Sequence, residues 1–215
     1  MTARSPFATC ALGLAALALA SGCAQAASQQ WNFAVFLDGK PIGHHDFTLT
    51  RENATGELKD DAHFDARFYA IFSYHYAHDA LEHWDGNCLT GLTARTDDDG
   101  KQSSVNAQRD GNTLTVSGPH GQQHYPGCVM TFAYWNSEML KQSHLLNPQT
   151  GEVEAVRIEP LGKVRIEVHG TPVDANHYRI SGPKHPIDLW YSDAGEWLAL
   201  SSPLDGDRQL EYQLQ

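Results

Sequence analysis

Histidines are the first residues in this chain whose number suggests chemistry, because twelve occur among 215 residues. Six of them lie in three places: His44-His45-Asp46, His63, and a stretch containing His75, His78 and His83. On a strand, alternate residues share a face, so His75, Asp79 and His83 would align while His78 faces the other way. No H-E-x-x-H or other zinc spacing occurs. We therefore expect no metal site and no cofactor, and we interpret most of these histidines as exposed strand residues.

Acid–base and nucleophilic catalysis also lack a recognisable motif. There is no G-x-S-x-G turn, and cysteines held in a disulfide do not act as nucleophiles. Many acidic residues lie in turn sequences such as Asp97-Asp98-Asp99 and Asp205-Gly206-Asp207, where their side chains help to close the turn. These patterns predict no catalytic residue. The alternative is an enzyme acting on a cell-envelope component, with His75 or His78 paired to an acid.

Aromatic residues form the most suggestive pattern. They fall into two groups: Phe72, Tyr74 and Tyr76, which alternate along one face of a strand, and Phe132, Tyr134 and Trp135, which follow Cys128. Apolar rings with polar tips can line a cavity whose ligand is partly polar. We name these six as candidate ligand-lining residues. The alternative is that they form the core of the domain.

The cysteines indicate an oxidising compartment and one disulfide. Cys10 and Cys23 lie in an N-terminal leader, so Cys88 and Cys128 remain in the body of the chain. An even pair most simply forms a bridge, which would stabilise the fold by roughly 3–4 kcal/mol. The alternative, a reactive or metal-bound pair, lacks a C-x-x-C spacing.

Residues 1–26 have the features of a cleaved signal peptide and predict a periplasmic protein. Arg4 precedes an apolar run from Ala11 to Ala20, and Ala24-Gln25-Ala26 fits the A-x-A cleavage pattern. A membrane-spanning helix needs about 20 apolar residues, so we expect no transmembrane span. The alternative is a lipid-anchored protein, because Ala20-Ser21-Gly22-Cys23 resembles a lipoprotein processing site that would lipidate Cys23.

The elements that would position these residues are strands. Apolar residues alternate along Trp31 to Leu37 and again at Val164, Ile166 and Val168, which we expect to face inward. Asp38-Gly39, Asp97 to Gly100 and Arg109 to Asn112 are turn sequences between such stretches. One exception, Asn136 to Gln142, is typical of a short helix with Asn136 or Ser137 as its N-cap.

Strands this frequent predict an all-β fold, mainly antiparallel: a curved open sheet or partly closed barrel with one short helix. No linker or internal repeat interrupts residues 27–215, which we expect to form a single domain. The formal net charge of −11 argues against nucleic acid or anionic lipid headgroups as electrostatic partners.

Several stretches resemble an uncharacterised family of exported proteobacterial proteins known as a domain of unknown function. The resembling stretches include Leu37 to Gly43, Cys128 to Asn136, Leu145 to Asn147 with Thr150 to Glu152, and Ile187 to Ser192 with Gly195 to Leu198. The C-terminal half, from Asn147 onward, is also similar to exported carrier-like domains whose curved sheet surrounds a hydrophobic cavity. The resemblance implies a fold, and fold does not fix function.

Taken together, these observations favour a periplasmic protein that binds a hydrophobic or amphipathic ligand, such as a lipid. The two alternatives are the envelope enzyme described above and a structural or partner-binding envelope protein.

Overall fold

The structure is a computed structural model that describes residues 27–68 and 72–215. The predicted signal peptide and Cys23 lie outside the described residues, and the side chain of Phe72 is not described either.

The described residues form fifteen strands and one 3-10 helix. The strands are β1 (Ala27–Leu37), β2 (Lys40–Glu52), β3 (Thr55–Phe68), β4 (Phe72–Asp85), β5 (Cys88–Asp98), β6 (Lys101–Asp110), β7 (Thr113–Gly118), β8 (Gly121–Pro126), β9 (His144–Leu146), β10 (Val153–Ala155), β11 (Arg157–Val168), β12 (Thr171–Ser181), β13 (Ile187–Tyr191), β14 (Trp197–Leu204) and β15 (Arg208–Leu214). The helix spans Ser137–Lys141, and the Asn136 side chain caps it by accepting a hydrogen bond from the Glu138 backbone N–H at 3.1 Å.

Thirteen of these strands form one sheet in the order β11-β12-β13-β14-β15-β1-β2-β3-β4-β5-β6-β7-β8. Every pairing is antiparallel. Among the described residues β8 and β11 do not pair with each other, so the curved sheet stays open, and β9 and β10 form a separate pair. The predicted fold class is confirmed.

The turns predicted from sequence join the strands as expected. Asp38 and Gly39 connect β1 to β2 with φ values of 52° and 72°, and Asp99 and Gly100 connect β5 to β6 with φ values of 52° and 85°. Two consecutive left-handed residues make the tight hairpin turn whose twist matches that of paired strands.

The core lies on the inner face of the curved sheet. Trp31, Phe33, Val35 and Leu37 all point inward from β1 and are buried, as their alternation predicts. Residues 127–156, which we call the plug segment, supply further buried side chains to the same core, namely Met130, Trp135, Met139, Leu145 and Leu146. The plug segment therefore covers the inner face that an open sheet leaves exposed.

Cys88 and Cys128 form the predicted disulfide, with their Cα atoms 5.0 Å apart. The bond joins the start of β5 to the start of the plug segment. Arg109 reinforces this junction, because its guanidinium donates hydrogen bonds to the backbone carbonyls of Leu89 at 2.9 Å and Gly127 at 2.8 Å.

The expectation that Val164, Ile166 and Val168 face inward is wrong. Val164 is 39% exposed and the other two are half-buried. A bulge between Pro160 and Gly162 shifts the register, so Val164 lies opposite Ala175, on the face away from the core residue Ile180. A shift of one residue turns every later side chain of the strand to the other face.

No helix among the described residues has the length and apolar character needed to cross a membrane.

Replacing both bridged cysteines, Cys88→Ser with Cys128→Ser, should lower the free energy of unfolding by about 4 kcal/mol, because the bridge closes a loop across 40 positions. Urea titration followed by tryptophan fluorescence measures this change. Reduced wild-type protein is the control and should unfold at the same urea concentration as the double variant. Equal stability of the double variant and oxidised wild type would contradict the role assigned to the bridge.

Candidate functional site

The first aromatic group lies at the beginning of β4. Tyr76 points inward and stacks on Phe64 of the neighbouring strand, with ring centroids 5.1 Å apart and planes at 12°. The Tyr74 hydroxyl donates to the carboxylate of Asp98 at 2.7 Å. Phe72 begins the same strand.

The second aromatic group belongs to the plug segment. Phe132 and Tyr134 have ring centroids 6.3 Å apart, and the Tyr134 ring lies 5.3 Å from that of Trp197. The Tyr191 hydroxyl donates to the Tyr134 backbone carbonyl at 2.7 Å and so anchors this part of the plug segment to β13.

The fold brings Tyr134 near Tyr76, close enough for the two side chains to influence each other electrostatically. Trp135 lies elsewhere. Its ring packs edge-on against that of Trp84 at 5.2 Å, and the Arg51 guanidinium lies 5.3 Å from the ring centroid. Trp84 follows Tyr76 by eight positions on β4, a separation of about 26 Å along a strand. Tyr76 and Tyr134 therefore lie together, whereas Trp135 contacts a different part of the core.

A histidine–carboxylate pair lies inside the sheet beside Tyr212. Nε2 of His45 is 2.6 Å from Oδ1 of Asp60, and Nδ1 of His45 is 3.1 Å from the Tyr212 hydroxyl. Because a carboxylate only accepts, the His45 Nε2–H donates to Asp60, and in the neutral imidazole Nδ1 then accepts from the Tyr212 hydroxyl. The side chains of His45 and Asp60 are 13% and 12% exposed, so water reaches this pair.

Glycine on β2 allows this arrangement. A Cβ atom at Gly43 would lie 1.8 Å from the His63 backbone oxygen, so only glycine lets β2 and β3 approach each other there. His45, two positions further along β2, is thereby held against the strand that carries Asp60.

His78 is the second histidine inside the sheet and is only 2% exposed. Its Nδ1 lies 2.8 Å from the Thr96 hydroxyl, whereas its Nε2 is buried and has no hydrogen-bond partner. Burial lowers the pKa of His78 and keeps the ring neutral. Three buried alanines, Ala62, Ala80 and Ala94, share this part of the inner face.

Glu82 is buried on the same strand, and its carboxylate accepts a hydrogen bond from the Trp84 indole N–H at 3.0 Å. Burial, together with the negative charge of Asp60, raises the pKa of Glu82 to about 8. A carboxyl group inside an apolar core favours its neutral form because desolvation penalises the charge.

These groups form one set around Asp60. Burial raises the pKa of Tyr76, Tyr134 and Tyr212, and the charge of Asp60 adds to the increase for each tyrosine. We call the set the interior polar cluster; its members are His45, Asp60, Tyr76, His78, Glu82, Tyr134 and Tyr212.

The other histidines singled out from sequence lie on the outer face. His75, paired with Asp65 at 3.0 Å, has a side chain that is 53% exposed, and His83 and Asp79 are exposed on the same face. His44 and His63 contact each other on the outside of β2 and β3. Within residues 27–68 and 72–215, no three His, Cys, Asp or Glu side chains are arranged to hold a metal ion.

Sequence reasoning missed Asp60 and its pairing with His45. The signal was present in β3, where Asp60 occupies an inward position between the buried residues Leu58 and Ala62. An acid on the apolar face of a strand is unusual, because burying a charge requires a partner.

The fold and the interior polar cluster define a class of protein: an open, barrel-like antiparallel sheet with ionisable groups on its inner face. Residues 33–215 match the family described as "Domain of unknown function (DUF6134)", and the chain belongs to this family. The predicted membership of a family of unknown function is thereby confirmed.

Among solved structures, the chain is similar to one described as "Crystal Structure of Beta-barrel-like Protein of Domain of Unknown Function DUF1849 from Brucella abortus". The TM-score is 0.65 at 9% sequence identity, and the match covers 86% of this chain and 94% of that chain. At this identity the likeness concerns the fold alone. A search of the curated proteins found no match.

The buried Glu82 predicts a pH-dependent stability. Because the raised folded pKa of about 8 exceeds the usual 4.5, the stabilisation is complete below pH 4.5 and is lost as pH rises through 8. Glu82→Gln should remove this dependence and make the protein more stable than wild type above pH 8, by on the order of a few kcal/mol. Urea titrations between pH 5 and pH 9 measure the difference.

Glu57→Gln is the matched control, because it removes a half-exposed carboxylate on β3, and it should not reproduce the gain in stability above pH 8. If the free energy of unfolding of wild type and of Glu82→Gln changed with pH in the same way, Glu82 would not be the buried group that causes the pH dependence.

Proposed function

We propose that this protein binds a hydrophobic or amphipathic molecule, such as a lipid, on the inner face of its curved sheet. The observation that carries the proposal is the interior polar cluster, which lies among apolar side chains yet keeps His45 and Asp60 in contact with water. A ligand pocket of this kind combines apolar walls with a few convergent polar groups.

A purely structural core accounts less well for these residues. Ionisable groups inside a domain cost stability unless they are paired, and His78 Nε2 has no partner among the described residues. An unpaired buried polar atom calls for an explanation, and a polar group of a bound ligand is one.

The plug segment restricts where a ligand can lie. Met130, Met139, Leu145 and Leu146 are fully buried and fill the part of the inner face that they cover. Tyr76, Phe132 and Tyr134 are only partly buried, and they pack at the boundary of the core. We therefore place the apolar part of the ligand beside these three rings.

The compartment forms part of the proposal. A disulfide persists in oxidising environments, and residues 1–26 carry the features of a signal peptide. We propose a periplasmic location, either as a free protein after cleavage at Ala26 or anchored through a lipidated Cys23.

A second candidate, an enzyme acting on an envelope component, draws on the Tyr212–His45–Asp60 chain of hydrogen bonds. The Tyr212 hydroxyl lies 3.1 Å from His45, and His45 lies 2.6 Å from Asp60. These distances match an arrangement in which a carboxylate orients a histidine and the histidine activates a hydroxyl group. Burial raises the pKa of Tyr212, however, which makes its hydroxyl a hydrogen-bond donor and a poor nucleophile. Binding is therefore the function that the geometry favours.

The binding proposal is tested with the mature protein purified from its exporting host. Solvent extraction and mass spectrometry should recover a retained amphiphile, and the stripped protein should bind the apolar dye N-phenyl-1-naphthylamine saturably. Tyr76→Ala should weaken dye binding about tenfold, since truncating a buried aromatic contact removes on the order of 1–2 kcal/mol of apolar contact.

Tyr178→Ala is the matched control, because Tyr178 is also a partly buried tyrosine at the core boundary but packs against Tyr191. It should bind dye as wild type does. Folded protein that yields no extractable amphiphile and shows no saturable dye binding would refute the proposal.

A further inference from the structure

The charged member of the interior polar cluster is the carboxylate of Asp60. Asp60 accepts a hydrogen bond from His45, and no lysine or arginine is described within ion-pairing distance of its carboxylate. Its negative charge influences five neighbours, Tyr76, His78, Glu82, Tyr134 and Tyr212. With a neutral His45 as its hydrogen-bond donor, Asp60 places a net negative charge on this part of the inner face.

A second acceptor lies beside this carboxylate. His78 is a diagonal neighbour of Asp60, because Asp60 pairs with Ala80 and Ala62 pairs with His78 across β3 and β4. Diagonal neighbours on one face of a sheet are about 7–8 Å apart, within reach of one bridging group. When the His78 proton is on Nδ1 and is donated to Thr96, the buried Nε2 offers an unused lone pair.

Aromatic rings surround these acceptors. Tyr76 and Tyr134 lie near Asp60, and Phe64 stacks on Tyr76. Rings of this kind attract a cation through their negative faces, and they disfavour an anion. A phosphate or carboxylate head would also meet the charge of Asp60 at close range, where partial burial weakens the screening of charge by water.

We propose that the interior site takes the protonated amine of an amphipathic ligand, which donates hydrogen bonds to the carboxylate of Asp60 and to Nε2 of His78. The apolar chain of the ligand then extends toward Tyr76, Phe132 and Tyr134. This inference rests on the proposed function and adds the chemical class of the ligand head.

The test compares ligand heads on chains of equal length. Dodecylamine, dodecanol and dodecanoate, each below its micelle concentration, compete with bound N-phenyl-1-naphthylamine on the wild-type protein at pH 7. We expect the amine to displace the dye at a concentration at least tenfold lower than the carboxylate requires, with the alcohol between them. An equal or reversed order overturns the inference.

Two pairs of variants assign the preference to residues. Asp60→Asn should reduce the preference for the amine at least tenfold, whereas Asp61→Asn should leave it unchanged, because Asp61 lies on the outer face beside His44 with a side chain that is 47% exposed. His78→Phe should weaken amine binding severalfold, whereas His75→Phe, on the outer face, should not.

The outcomes separate the two proposals. Folded wild-type protein that does not bind the dye contradicts the proposed function itself. Dye binding with no preference for the amine, or identical behaviour of Asp60→Asn and Asp61→Asn, overturns only the assignment of the head. Circular dichroism shows whether Asp60→Asn folds. If it does not fold, the assignment of the head group is still decided by two results: the order in which the three amphiphiles displace the dye from wild type, and the comparison of His78→Phe with His75→Phe.

Discussion

An open sheet has to cover its inner face, and this constraint governs the rest of the molecule. The thirteen-stranded sheet ends at β8 and β11, which do not pair with each other in the described chain. Its apolar inner face would meet water without residues 127–156. The Cys88–Cys128 bond and the Arg109 hydrogen bonds hold the start of this plug segment to β5, and the Tyr191 hydroxyl holds its middle to β13. Because these attachments hold the plug segment in place, its apolar side chains and those of the inner face are buried against each other.

The plug segment also explains why polar groups can exist inside the fold. It fills one part of the inner face with apolar side chains and leaves the region around Asp60 lined by alanines and tyrosine rings. His45 and Asp60 satisfy each other and keep some contact with water, which lowers the cost of burying them. His78 and Glu82 avoid a charge penalty by favouring their neutral forms. The fold thus tolerates the cluster, and the tyrosine rings of the cluster also pack against the core.

Local patterns in the sequence predicted most of the fold. The alternation along β1, the Asp-Gly turns, the Asn136 cap and the Cys88–Cys128 bridge each depend on neighbouring residues or on a simple count. The bulge at Pro160 and Gly162 was missed because alternation assumes an unbroken register. The His45–Asp60–Tyr212 contacts were missed because His45 and Tyr212 are 167 positions apart in the chain. The pairing of the first strand with the last strand brings them together. Pairing between strands so far apart leaves no pattern in a short stretch of sequence.

The bulge in β11 has a consequence for how the molecule behaves among its neighbours. An unpaired edge strand is a template on which other chains can add strands, the route to aggregation. In β11, Pro160 removes one backbone donor, the bulge beside it breaks the straight run of hydrogen-bonding groups, and Lys163, Arg165 and Glu167 place charges along the remainder. The same irregularity that turns Val164 outward therefore also makes this edge of the open sheet a poor template for a further strand.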